Sequence, residues 1–169
     1  SLIEQAARSK SGSGPVLSAD QERAIAKIGV SGRVLDVLVG PAGTGKTTTM
    51  SALRRAWEKD HGAGSVVGLA PSAAAADVLA QDLGISTENT AKWLHEHRRG
   101  TWNLTTGQLV IIDEASLAGT LALDTLTAHA ADVGAKVLLV GDWAQLAAVD
   151  AGGAFGMLVR DRGDAPELL

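Results

Sequence analysis

Short apolar runs recur along the chain, and stretches of helical spacing separate them. Residues 34–39 (VLDVLV), 65–70 (SVVGLA), 109–116 (LVIIDEAS) and 135–140 (AKVLLV) have the length and the Val, Ile and Leu content of strands covered on both faces. Helices are expected at about 19–28, 46–60, 73–82, 87–98, 118–131 and 154–161. Gly62, Gly84 and Gly134 close three of them, and Trp93 and Leu94 anchor the one at 87–98. Strands alternating with helices predict an α/β fold, a mostly parallel sheet with helices on both faces. Residues 1–16, which include KSGSG, read as a linker, 17–161 as the domain and 162–169 as a tail.

At 169 residues this is one domain with room for a continuous core. With 46% hydrophobic but only 3% aromatic residues, that core is expected to be Ala, Val and Leu beneath thin helices. No cysteine is present, which excludes disulfides, thiolate chemistry and Cys-based zinc sites. No apolar run is long enough to span a membrane and the first residues lack a secretion signal, so a cytoplasmic protein, most simply a monomer, is expected. The chain opens on Ser and reads as a processed or excised piece. A formal charge of −4 weakens the case for an autonomous DNA-binding module, though not for a motor domain that holds its track by few contacts.

The chemistry starts where the first strand ends. Gly40-Pro41-Ala42-Gly43-Thr44-Gly45-Lys46-Thr47 fits G-x-x-x-x-G-K-[ST] without mismatch, and Thr48 continues into the helix. A side chain at Gly43 or Gly45 would hold the backbone away from a phosphate or forbid the dihedrals that turn N–H groups inward. Lys46 can reach the β- and γ-phosphates of a nucleotide, and Thr47 can offer its hydroxyl to Mg²⁺. The third strand ends in Asp113-Glu114, at the carboxyl edge where parallel sheets bind ligands. There Asp113 would hold the metal and Glu114 would draw a proton from the attacking water. If the strand at 135–140 lies between the first and third, Gln145 in GDWAQ arrives beside the γ-phosphate.

Several polar residues carry two readings each. Ser18-Ala-Asp-Gln21 fits a capping box, yet the Gln21 amide also suits the N6 and N7 edge of adenine; these are competing uses of one group. Ser72 can cap the following helix or hold a nucleic-acid phosphate, and Thr90 can cap or face a groove. Arg98, Arg99 and Trp102 suit single-stranded nucleic acid by charge and stacking, or a solvated loop with one tucked Trp. His95 and His97 lie two apart without a third ligand nearby, so no metal is expected there.

Together LSADQERAI (17–25), GPAGTGKTT (40–48), VIIDEAS (110–116) and GDWAQLAAVDAGGAF (141–155) resemble the first RecA-like motor domain of superfamily 1B DNA helicases. The resemblance is to the helicase part of MobF-type conjugative relaxases, of the TraI and TrwC kind, and to RecD-like relatives. It covers about residues 17–160 and implies a RecA-like P-loop NTPase using ATP and Mg²⁺ to move 5′ to 3′ on single-stranded DNA. By resemblance, Gln21 reads adenine, Lys46 and Thr47 bind phosphate and Mg²⁺, Asp113 organises the metal, Glu114 is the base, Gln145 senses the γ-phosphate, and Ser72 and Thr90 lie near DNA. It also implies a second RecA-like domain carrying arginine fingers beyond residue 169, and an N-terminal relaxase domain in the parent chain. The chain departs from that pattern in having no Tyr and no histidine cluster for strand transfer, Trp143 where proline is common, and Ala147-Ala148 where prolines often stand. Without the second domain, weak binding and slow turnover are expected. A non-motor NTPase switch, a small-molecule kinase, or an idle nucleotide site used for interaction are the alternatives.

Overall fold

The strands at the centre of the fold are the apolar runs, and a computed structural model shows how they pair. It describes residues 17–30, 32, 34–39 and 45–141. Gly40, Pro41, Ala42, Gly43, Thr44, Trp143, Gln145, the linker, the expected helix at 154–161 and the tail lie outside the described residues.

In chain order the elements are α1 (Ala19–Val30), β1 (Leu35–Val39), α2 (Lys46–His61), β2 (Val66–Ala70), α3 (Ala73–Leu83), β3 (Ser86–Asn89), α4 (Thr90–Arg98), β4 (Leu109–Ile112), a 3₁₀ turn (Ala115–Leu117), α5 (Thr120–Val133) and β5 (Lys136–Gly141). The strands form one sheet in the order β1-β5-β4-β2-β3, every neighbouring pair parallel. β5 therefore lies between β1 and β4, with Leu35 opposite Val137 and Ile112 opposite Leu139. The fourth apolar run thus lies between the first and third, the arrangement on which the placement of Gln145 is conditional.

Alternation along the strands divides the core in two. Leu38, Leu109, Ile111, Leu138 and Val140 meet Ile25, Ile28, Met50, Leu53 and Leu79, so α1, α2 and α3 cover one face. Val37, Val110, Ile112, Val137 and Leu139 meet Trp93, Leu123 and Leu126, so α4 and α5 cover the other. Burial on both faces explains why these strands read as continuous apolar runs. Gly68, inside β2, lets α3 settle on the sheet: a Cβ there would stand 2.9 Å from both Leu79 Cδ2 and Thr87 Cγ2.

Two expectations are corrected. Residues 87–98 are not one helix; Ser86–Asn89 is an edge strand beside β2, and the helix begins at Thr90. The segment STEN carries no apolar residue because it lies at the sheet edge, partly exposed. The third strand stops at Ile112, and Asp113-Glu114 turn away from it into the 3₁₀ turn. No helix among the described residues is long and apolar enough to cross a membrane.

Candidate functional site

The helix that follows the phosphate-loop motif starts from a glycine. Gly45, with φ 81° and ψ 27°, is the N-cap of α2 and adopts the left-handed conformation that a side chain would oppose. Its carbonyl accepts from three donors, each at 3.0 Å: the Thr49 backbone N–H, the Thr49 hydroxyl and Gln21 Nε2. Thr49 is fully buried, so the first turn of α2 is held from beneath. Lys46 and Thr48 are half-buried and Thr47 is exposed at the helix start.

Gln21 itself is buried on α1. Its Oε1 accepts from Ser18 N at 2.8 Å and its backbone N–H donates to Ser18 Oγ at 3.2 Å, completing the capping box. The same amide thus caps α1 and binds the last glycine of the motif. Asp113 and Glu114 follow β4 at the carboxyl edge. Asp113 N–H donates to Leu69 O, and Glu114 N–H donates to Asp113 Oδ1 at 3.0 Å. Burial pushes the Asp113 carboxyl above its ordinary range, while the Glu114 N–H and the Lys46 cation pull it down. Glu114 is exposed and stands at φ 47°, the one non-glycine residue of positive φ among the described residues.

The donor set fits Mg²⁺ and a polyphosphate. It offers a threonine hydroxyl and a carboxylate, hard oxygen ligands, beside a lysine and a glycine-capped helix N-terminus.

The remaining polar residues divide. Ser72 is exposed, and its Oγ accepts from Ala75 N at 3.1 Å, so it is the cap of α3. Thr90 is only 2% exposed and its hydroxyl donates to Ala70 O at 3.1 Å, which commits its hydrogen to the fold; the cap of α4 is Asn89. Arg98 and Arg99 are exposed, whereas Trp102 packs partly against the second core.

Two contacts escaped the sequence reading because each joins residues far apart in the chain. One is the Gln21 bond to Gly45. The other is a histidine pair: His97 stacks on buried Trp93 at 4.7 Å between ring centroids and lies 4.4 Å from His129. His97 Nδ1 donates to Trp102 O at 3.0 Å, and His129 Nε2 accepts from Leu104 N at 3.0 Å, so the pair holds the 99–108 segment on α5. Burial, with His97 beside it, pushes the His129 imidazole below its ordinary value, against a smaller opposite pull from Asp132. An unfolded chain then takes up this proton first on acidification. Stability should fall as pH drops below the ordinary value of 6.5 and level off once folded His129 protonates too. His129→Gln, which keeps an acceptor for Leu104, should flatten that part of a urea-midpoint profile. An equally steep profile would place the acid sensitivity elsewhere.

A model of the AAA domain family matches residues 16–169. The chain belongs to the AAA domain family. Among its relatives, the conjugal transfer protein TraA of Rhizobium radiobacter is 39% identical over 140 residues, covering 82% of this chain and 12% of that protein. The ATP-dependent RecD2 DNA helicase of Deinococcus radiodurans is 39% identical over 132 residues, 73% of this chain and 17% of that protein. The AAA domain described here thus spans a small part of the curated relatives it matches. In fold it is similar to the Pif1 helicase from Candida albicans, with TM-score 0.59 and 21% identity over 91% of this chain and 40% of that one. The Hef helicase domain of Pyrococcus furiosus gives TM-score 0.56 and 15% identity over 76% of this chain and 33% of that one. The AAA domain has the parallel-sheet, RecA-like fold of P-loop NTPases.

Proposed function

We propose that this AAA domain binds and hydrolyses Mg-ATP as the first motor half of a 5′-to-3′ DNA helicase or translocase, in the helicase part of a conjugative relaxase. The observation that carries the reading is the placement of the glycine-capped Lys46-Thr47 helix start after β1 and of Asp113-Glu114 after β4, both at the carboxyl edge of one parallel sheet. Lys46 would pair with the β- and γ-phosphates. Thr47 and Asp113 would hold Mg²⁺, which when bound neutralises phosphate charge. Glu114 would take the proton of the attacking water, and Gln145 would sense the γ-phosphate. Such catalysis is positional and electrostatic. The likeness to TraA and RecD2 supports the conjugative and helicase assignments.

A second RecA-like domain would close the site with arginines, single-stranded DNA would be the track, and a relaxase domain would precede the motor in a cytoplasmic, monomeric parent. Ser72 is the better DNA contact of the two expected, because its hydroxyl hydrogen is still available to a phosphate. ATP turnover should be measured with and without single-stranded DNA, on this domain and on a chain extended through the proposed second half, with Lys46→Ala as control. DNA-stimulated turnover only in the extended chain is the expected result. Equal, DNA-independent turnover by the domain alone would replace the motor with a self-contained NTPase.

A further inference from the structure

We propose that His129 is the acid-sensitive catch of a strap, residues 102–105, which lets go of α5 on protonation while the sheet beneath stays folded; this goes beyond the nucleotide-site reading and does not rest on it. The strap runs between two fixed ends. Before it, Gly100 N–H donates to His97 O at 2.9 Å and Thr101 N–H to Glu96 O at 3.0 Å. After it, the Thr106 hydroxyl donates to Val133 O at 2.7 Å, Gly107 N–H to Gly134 O at 2.9 Å and Trp57 Nε1 to Gly107 O at 3.0 Å. None of these bonds involves an ionisable group. Between them, Thr105 N–H turns back to Gln108 Oε1, and two imidazoles make the polar hold on the strap: His97 Nδ1 on Trp102 O and His129 Nε2 on Leu104 N–H.

A proton acts differently on the two rings. A carbonyl only accepts, so His97 Nδ1 carries a hydrogen and keeps its bond to Trp102 O whether or not its Nε2 is protonated. Leu104 N–H only donates, so His129 Nε2 must be bare, and a proton there sets two N–H groups against each other. It also puts a positive charge 4.4 Å, centroid to centroid, from the His97 ring. The surroundings compensate little. On α5, Asp132 is exposed and its pull is smaller than the effects of burial and of His97. On α4, Glu96 accepts from the Thr101 hydroxyl, Lys92 pairs with Glu88, and His95 and Arg98 are exposed; exposed Arg99 is the one charged residue of the 99–108 segment, and the strands beneath present Val110 and Ile112. Burial first and His97 second hold the closed imidazole below its ordinary value of 6.5, so the open form takes the proton first. Opening then grows by up to about tenfold per pH unit below that value, until closed His129 titrates as well. The strap precedes β4 and His129 lies near the end of α5, so the catch sits at the amino edge of the sheet, at the other end of the strands from Lys46 and Asp113.

Amide hydrogen exchange, followed by NMR on the full chain across this pH range and corrected for intrinsic rates, tests the catch. Leu104 should lose protection by up to about tenfold per pH unit and level off where the nitrogen-15 shift of His129 Nε2 titrates. Urea well below the unfolding midpoint should leave Leu104 exchange unchanged, as for a local opening, while the more protected Val110 and Ile111 respond to it. His129→Gln puts an amide oxygen near the place of Nε2 and should make Leu104 protection independent of pH. His97→Asn keeps a donor for Trp102 O and should leave the pH dependence in place. If Leu104 shares the urea dependence of Val110, acid loosens the whole fold and the catch is refuted. A pH dependence that survives His129→Gln and vanishes in His97→Asn would move the sensor to His97 and overturn the assignment. In the parent chain alone, a levelling-off that does not coincide with the His129 titration would overturn it as well.

Discussion

Glu114→Gln is expected to slow ATP hydrolysis by about 10²–10⁴ while leaving folding stability within about 0.5 kcal/mol of the parent. The two halves of that expectation have separate structural grounds. The side chain is exposed, so the amide replaces the carboxylate without disturbing the core. The backbone, in contrast, is held where a glutamate is disfavoured, at φ 47° and ψ 49°. Asp113 N–H on Leu69 O pins the preceding residue, Asp113 Oδ1 accepts the Glu114 N–H, and the Glu114 carbonyl accepts from Leu117 N at 2.9 Å to close the 3₁₀ turn. These contacts over-determine the turn, and the left-handed conformation costs about 1–2 kcal/mol for a residue with a Cβ. Glu114→Gly should therefore lose hydrolysis as fully as Glu114→Gln yet melt at the same temperature as the parent or above it. Single-turnover hydrolysis in the extended chain and thermal melts of the domain measure the two effects. A Glu114→Gly variant that is both inactive and destabilised would mean that the carboxylate, not the backbone, stabilises the turn. A Glu114→Gln variant with undiminished hydrolysis would remove Glu114 from the role of base.

What the sequence made legible follows from how each feature is encoded. The four buried strands announced themselves because burial on two faces demands unbroken apolar runs, whereas the position of β5 between β1 and β4 entered the sequence analysis only as a condition and is supplied by the fold. β3 was missed because an edge strand needs no such run: STEN is polar and reads as the start of the helix it precedes. The Lys46, Thr47, Asp113 and Glu114 positions were readable from local spacing and strand ends. The competing readings of Gln21, Ser72 and Thr90 were not separable, since one polar side chain at a helix start serves a cap, a nucleotide or DNA equally well in a one-dimensional pattern. The fold settles one of them by where its hydrogen goes, to Ala70 from Thr90, while Gln21 caps α1 and binds Gly45 with a donor still to spare. The charged pair at the other end of β1 was invisible for a related reason. Asp36 sits inside an apolar run and Lys136 at the start of another, and only the adjacency of β1 and β5 joins them.

That pair is where the largest effect on stability is expected. Lys136 Nζ lies 2.6 Å from Asp36 Oδ2, with side chains 8% and 7% exposed, and also donates to Ile28 O at 2.8 Å. One ammonium therefore ties β5 to β1 and to the last turns of α1. Lys136→Met fills much of the same volume but leaves the Asp36 carboxylate buried without this cation, and losing one partner of a buried pair costs about 3–5 kcal/mol. For a domain of this size that is a large part of the folding free energy. Asp36→Leu together with Lys136→Met should recover most of the loss, because an apolar pair of similar volume carries no desolvation cost. Urea denaturation of the two single variants and the double variant closes the cycle, and the coupling should be strongly favourable. The register of β1 against β5, Leu35 opposite Val137, carries the strand before the phosphate loop alongside the strand before Gln145. If the ion pair fixes that register as well as adding stability, the double variant should be stable yet bind Mg-ATP less tightly than the parent. A double variant that equals the parent in both measurements would reduce the pair to a replaceable part of the core, and a Lys136→Met variant as stable as the parent would show that the carboxylate finds an equivalent partner in the folded state.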